Sequence, residues 1–510
     1  MKYTFFVIFL SLSISLFGQS VVVKTTNGKV AGGQNIDKTV QIFKGIPFAK
    51  PPLGNLRWQA PQPPSNWSGI KQCTQFGASP IQNKPQPFYC WSAEFIAQPE
   101  PLNEDCLYLN IWKPTGISQE KKAVLVWIYG GGLSSGSANC AIYDGEEMAK
   151  KGILFVSINY RVGVLGFMAH QELSSQLPHH VSGNYGILDQ IEALRWVQKN
   201  IAAFGGDRNN ITIAGQSAGA FSVNALIASP LAKGLFHKAI AQSGGLLSNK
   251  LSQSLENSEK QGQLFMQKAG ARTIDELRKM SANDLQTLSN NQSFGQFGLT
   301  LDGYLLPKNL NEHFEKGLQN QVPTMTGWVA GDGDFLGNSN TTLEDYKKEA
   351  QSQYGPRAND FLSIFLAQND DDVKTMKKKL TMLGFAGLPS HLLASFNTQP
   401  TYLYYFNHVP VEKSGFPNYG AFHTSEVPFS LHTLHKWDRP WRNADKLVEG
   451  LMSSYWVNFA KTGNPNADGL PNWSSYNKQL GNMLMINENT HLQPSLFKKE
   501  LDFLEAEAAK

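Results

Sequence analysis

Apolar and polar positions along the chain alternate between two rhythms. Ala123 to Tyr129, Ile153 to Asn159, Asn210 to Ala214, Pro323 to Gly327 and Tyr402 to Phe406 are short apolar or β-branched runs. Their length and continuity fit strands buried on both faces. Between them the period lengthens. Gly186 to Phe204 places Ile187, Leu188, Ile191, Leu194, Val197 and Ile201 at helical spacing and stops at Gly205-Gly206. Ala218 to Ala228 is helix-prone and stops before Pro230. Strands alternating with helices predict an α/β chain with a central, mostly parallel, doubly wound sheet flanked by helices.

The flanks read differently. Val21 to Trp58 predicts an edge hairpin followed by a Pro/Gly-rich loop from Gly45 to Pro52, and Glu104 to Trp112 alternates as a strand should. Insertions at about 246–314 and 343–395 are expected to cap the sheet edge. Phe497, Leu501 and Leu504 give the last segment, Leu496 to Lys510, the pattern of an amphipathic helix packed on the body.

Composition narrows the class. The 510 residues are 41% hydrophobic and 17% charged, which suits a large buried core and not a disordered chain. A net charge of +4 without a basic, aromatic-interleaved cluster argues against a nucleic-acid partner. Residues 1–20, with Lys2 before an apolar run from Phe5 to Phe17 and small Gly18 and Ser20, read as a signal peptide. Residues 21–510 then form one exported catalytic domain. No later segment looks long and apolar enough for a membrane anchor. Four cysteines, Cys73, Cys90, Cys106 and Cys140, in an exported chain suggest two disulfides. Cys90–Cys106, which closes a short loop, and Cys73–Cys140 are the favoured pairs. The spacings match no zinc pattern and no phosphate-binding loop, so no metal or cofactor is expected.

The chemistry centres on Gly215-Gln216-Ser217-Ala218-Gly219, at the junction of a predicted strand and helix. Glycines two positions either side of a serine permit a sharp turn that exposes its hydroxyl. The Ala218 N–H then opens a helix and points at any oxyanion formed beside the serine. Upstream, a buried strand runs into Gly130-Gly131-Gly132, where bare backbone N–H groups can supply a second oxyanion element.

Several longer stretches carry a resemblance. Glu104-Asp105-Cys106-Leu107-Tyr108-Leu109-Asn110, Trp127-Ile128-Tyr129-Gly130-Gly131-Gly132, Asn159-Tyr160-Arg161-Val162-Gly163, Leu188-Asp189-Gln190 and Gly215-Gln216-Ser217-Ala218-Gly219 appear in that order. Gln242-Ser243-Gly244, Gly420-Ala421-Phe422-His423 and Tyr455-Trp456-Val457-Asn458-Phe459-Ala460 follow. With these motifs the chain resembles the type-B carboxylesterases, which include the cholinesterases, of the α/β-hydrolase fold. The resemblance implies Ser217 as nucleophile, Gly131, Gly132 and Ala218 as oxyanion donors, and buried ion pairs Arg57–Glu104 and Arg161–Asp189. Two departures stand out. The family usually has glutamate where Gln216 lies, and Tyr129 stands where many carboxylesterases have histidine.

On the residues alone, His423 competes with His408 and His170 for the base; the resemblance selects His423. Asp332 and Asp334 compete for the acid between serine and histidine. Asp332 stands at the family's acid position, where most cholinesterases have glutamate. The implied function is hydrolysis of small-molecule esters through an acyl-enzyme, with activity falling as pH drops through the ordinary histidine range. The implied pocket includes an aromatic wall from Phe88, Tyr89, Trp91 and Phe95. Alternatives are a catalytically silent adhesion or binding relative, or an esterase specialised for lipid, carbohydrate or phenolic esters.

Overall fold

The structure, a computed structural model, describes residues 21–116, 120–248, 252–290, 295–336 and 340–508. The expected signal segment, 1–20, lies outside the described residues. A 13-stranded sheet runs through the molecule, and a second sheet pairs Ser252–Ser254 with Leu299–Leu301. At one edge of the main sheet Val21–Lys24, Lys29–Gln34, Val40–Pro47 and Tyr108–Pro114 pair antiparallel in sequence. Leu154–Ile158 joins them, and from there every neighbour is parallel: Lys122–Ile128, Gly206–Gln216, Lys238–Gln242, Thr324–Val329, Thr401–Phe406 and Asn482–Ile486. His491–Pro494 closes the far edge antiparallel. Helices lie on both faces, as the doubly wound reading requires.

The continuous apolar runs are the parallel strands, and their burial explains why. Every residue of Thr324–Val329 and Thr401–Phe406 is buried, as is all of Lys122–Ile128 after Lys122. Fully burying one Val, Ile, Leu or Phe is worth roughly 1.5–3 kcal/mol, so a strand covered on both faces selects such residues throughout. The predicted long helix forms as Tyr185–Asn200 and tightens into a 3-10 turn at Ile201–Phe204. Ile187, Ile191, Leu194 and Val197 face inward.

Two boundaries differ from expectation. Val40–Pro47 is a third antiparallel strand that reaches into the segment read as a loop. Gly45, at φ +73°, carries a bulge between Phe43 and Ile46, so the glycine-rich stretch stays paired through Pro47. The strand expected from Glu104 begins at Tyr108, because Glu104 bends away to Arg57 at 2.6 and 2.7 Å.

The cysteine reading is corrected. All four are buried free thiols, and neither Cys90–Cys106 nor Cys73–Cys140 is bridged. Their surroundings differ: Cys140 Sγ is directed at the Glu94 carbonyl, and Cys106 lies fully enclosed within the field of Asp189 and Arg161. Burial pushes the Cys73 thiol up to about 11 and the Cys90 thiol up to about 12.

Both expected ion pairs form. Arg161 holds Asp189 through Nε at 2.8 Å and Nη2 at 2.7 Å, and its backbone N–H donates to the same carboxylate at 3.0 Å. The final helix is Lys498–Ala508, with Leu501 and Phe503 inward; just before it, Phe497 packs on Tyr405 and Trp328. No helix among the described residues is long and apolar enough to cross a membrane.

Two outcomes follow from these buried groups. Thiol titration should find four reactive thiols in denatured, unreduced protein and negligible reaction in the native state. Asp189→Ala should cost about 3–5 kcal/mol in urea unfolding, because it strands the Arg161 charge in the interior.

Candidate active site

The strand Gly206–Gln216 ends at Ser217, and the helix Ala218–Ala228 starts at the next residue. Ser217 holds φ 59° and ψ −125°, a strained conformation for a residue with a side chain. The turn closes tightly enough that side chains are excluded around it. A Cβ added at Gly215 would lie 2.6 Å from Gly219 O and 2.7 Å from Ile128 O. One added at Gly219 would collide with Ile128 O. The Ser217 N–H is tied to Gln242 O at 2.9 Å, which fixes the turn to the next strand.

Ile128 ends its strand just before the triple glycine. Gly130 packs against the turn: a Cβ added there would lie 2.6 Å from Gln216 O and 3.0 Å from Ser217 Cβ. Gly131 and Gly132 hold φ +115° and +61°. The Gly131 carbonyl accepts from the N–H groups of Ser134 and Ser135, and Gln296 covers the Gly132 carbonyl. Among the described residues neither glycine's own N–H is engaged in a hydrogen bond.

The acid and base candidates meet. His423 Nδ1 lies 2.5 Å from Asp332 Oδ1, and both side chains are buried. Backbone pairing sets this contact. Gly331 donates to Ala421 O at 2.8 Å and bridges Phe422, so the residues after each partner, Asp332 and His423, are brought side by side. Asp332 Oδ2 accepts from the Val329 N–H at 3.0 Å. Asp334 faces Lys378 instead, at 3.8 Å and half-exposed. The competing histidines have other partners: His408 bonds Asp445 at 2.8 Å, and His170 accepts from the Glu172 N–H and contacts Gln263.

Ser217 and His423 are not hydrogen-bonded in this structure. The side chain of the preceding residue touches the ring instead: Gln216 Nε2 lies 3.2 Å from His423 Nε2 and 3.4 Å from Nδ1. Aromatic rings enclose the remaining sides. Phe335 lies 4.8 Å, Phe385 5.3 Å and Trp91 6.3 Å from the imidazole, centroid to centroid. Of the expected aromatic wall, Trp91 reaches the site; Phe88 and Tyr89 are exposed, and Phe95 packs on Phe422 and Trp437. Phe385 sits on a π-turn, Leu383–Gly387, within the second insertion, which thus places a ring against His423.

Sequence reasoning missed Phe385, Thr424 and Glu426. Glu426 is fully buried, accepts from Ser243 Oγ at 3.2 Å, and has its other oxygen unpartnered. Burial, and then the Asp332 charge, push its carboxyl up to about 8. Its place three residues after His423 was the available signal. Among the described residues one group of possible metal ligands gathers, His391, Asp502 and Glu505. Both His391 nitrogens are already bonded, to Tyr476 Oη and Glu505, each at 3.0 Å, and Lys498 covers Asp502.

A strained serine turn, a glycine loop beside it and a buried histidine–carboxylate contact, all on one edge of a doubly wound sheet, define an α/β-hydrolase. The sequence profile of the carboxylesterase family matches residues 19–504, so the chain belongs to the carboxylesterase family and is a carboxylic ester hydrolase. It is 33% identical to fumonisin B1 esterase of Sphingopyxis macrogoltabida, over 93% of this chain and 89% of that one. It is 32% identical to para-nitrobenzyl esterase of Bacillus subtilis (strain 168), over 92% and 96%. A solved PNB esterase structure superposes with a TM-score of 0.81 at 28% identity, covering 94% of this chain and 99% of that one.

Glu426 supplies a pH-dependent prediction. Its folded-state carboxyl titrates above the ordinary glutamate range, so the native protein holds a proton that the unfolded chain releases. That costs nothing in acid and grows as pH rises from about 4.5 to about 8. Glu426→Gln should therefore unfold at higher urea than the parent, with a margin that widens over this window in denaturation series.

Proposed function

We propose that this chain is an exported serine carboxylesterase that hydrolyses small-molecule esters through an acyl-enzyme on Ser217. The observation that carries the reading is the 2.5 Å His423–Asp332 contact beside a serine held at positive φ. Asp332 accepts the Nδ1 hydrogen, which leaves the Nε2 lone pair of His423 as base. In the reacting complex the Ser217 hydroxyl would meet that lone pair, its proton would pass to Nε2, and the oxygen would attack the ester carbonyl. Resting enzymes often hold this hydrogen bond loosely and tighten it only with substrate.

The tetrahedral oxyanion would be met by the N–H groups of Gly131, Gly132 and Ala218. Losing one such donor typically costs about 3 kcal/mol of transition-state stabilisation. His423 returns its proton to the leaving alcohol. Water then attacks the acyl carbonyl as His423 takes its proton, the bond to Ser217 Oγ breaks, that oxygen takes the proton back from His423, and the acyl group leaves as carboxylic acid. Asp332 stays ionised throughout and stabilises the imidazolium.

Hydrolysis of p-nitrophenyl acetate tests the roles. Ser217→Ala should lose roughly 10^4-fold or more in kcat, and Asp332→Asn about 10^4-fold. Asp334→Asn should stay within a few-fold of the parent. Full turnover by Ser217→Ala would overturn the nucleophile, and an inactive Asp334→Asn beside an active Asp332→Asn would reverse the acid.

A further inference from the structure

Gln216 is 1% exposed, yet its polar atoms all serve the site. Two hydrogen bonds orient its amide. Trp91 Nε1 can only donate, so the Thr424 hydroxyl receives that hydrogen at 3.1 Å. Thr424 then has its own hydrogen for Gln216 Oε1, at 3.3 Å. Oxygen toward Thr424 puts the NH2 group toward His423.

The amide nitrogen is almost equally far from the two ring nitrogens, 3.2 and 3.4 Å. An atom in the ring plane at those distances would run into the carbon between them. The NH2 group therefore lies over the ring face. Its hydrogens carry partial positive charge, so they favour the neutral imidazole and oppose the imidazolium. The glutamate usual in the family would place a carboxylate there and do the reverse.

The other groups around His423 act as follows on its charge. Asp332 faces Nδ1 and favours the charged ring. Glu426 stands behind Asp332 with its carboxyl pushed up to about 8, so it adds no charge in acid. Asp334 turns to Lys378. Trp91, Phe335 and Phe385 present uncharged rings.

We propose that Gln216 is a positioning residue that holds His423 as a neutral base and so extends catalysis to the acid side. This rests on the Ser217–His423–Asp332 reading. It predicts a trade: the same amide that keeps the base neutral in acid gives the imidazolium less support during turnover.

The test is the acid limb of kcat/KM for p-nitrophenyl acetate in the full-length enzyme. Gln216→Glu should move that limb upward by about one pH unit or more. Gln216→Met, which keeps the bulk and removes the NH2 group, should move it upward by less. The methionine variant carries the test if the buried carboxylate prevents folding. A limb that stays in place in the folded variants, or moves down, would overturn the proposal and leave Gln216 a packing residue. Stoichiometric labelling of Ser217 by a fluorophosphonate, with an inactive Ser217→Ala, separates that failure from failure of the underlying reading. An active Ser217→Ala would sink both.

Discussion

No side chain fits at Gly219, and much of the site depends on that exclusion. The backbone of Ile128 lies where a Cβ would be. Ile128 ends the strand that becomes the glycine loop, and Gly219 lies in the first turn of the helix after Ser217. One close approach thus fixes two things together: the distance of the Gly131 and Gly132 N–H groups from the serine, and the sharpness of the turn that exposes it. Ser217 cannot relax from φ 59° while its N–H is held by Gln242 and the helix behind it is pinned to Ile128. These holds on the strained turn are backbone contacts.

On the other side of the proposed nucleophile, the histidine lies in an apolar setting. Phe335 and Phe385 cover it, and Trp91 stands edge-on and reaches past it to Thr424. Low polarity strengthens a buried hydrogen bond as much as it penalises an unpaired group. The 2.5 Å contact to Asp332 gains from that, and Glu426, with an oxygen left unpartnered, bears the cost. Two acidic groups close together in one apolar pocket cannot both be charged cheaply, so one carboxylate and one carboxylic acid is the stable arrangement.

The parallel core was legible because burial on both faces leaves a strand little choice of residue. Thr401–Phe406 and Lys122–Ile128 announce themselves as unbroken apolar runs. The turn at Ser217 was legible because it tolerates little besides glycine around it, and the pairing of Asp332 with His423 through the resemblance. What escaped were properties set by partners distant in sequence. Cysteine number and an export-like leader suggested bridges, but a bridge needs geometry that the buried thiols do not adopt. Val40–Pro47 hid behind its glycine and proline, since a bulge is decided by the neighbouring strand. Phe385 belongs to an insertion without periodicity, and nothing local says that a π-turn will aim it at His423. Gln216 was visible as an oddity, but its hold on the ring depends on Thr424 and Trp91, which the fold brings together.

The order of the strands sets a timetable for synthesis. From Gly206–Gln216 outward, Lys238–Gln242, Thr324–Val329, Thr401–Phe406 and Asn482–Ile486 each join beside the one made just before. A growing chain on the ribosome can therefore add them one at a time, with no rearrangement of those already placed. The strand that delivers His423 keeps an open edge until Asn482–Ile486 emerges, and an unpaired edge invites the wrong neighbour. The Ser217 turn can form when less than half of the chain exists, whereas His423 has a complete sheet behind it only near the end. A nascent chain thus holds the Ser217 turn long before the strand that delivers His423 is covered.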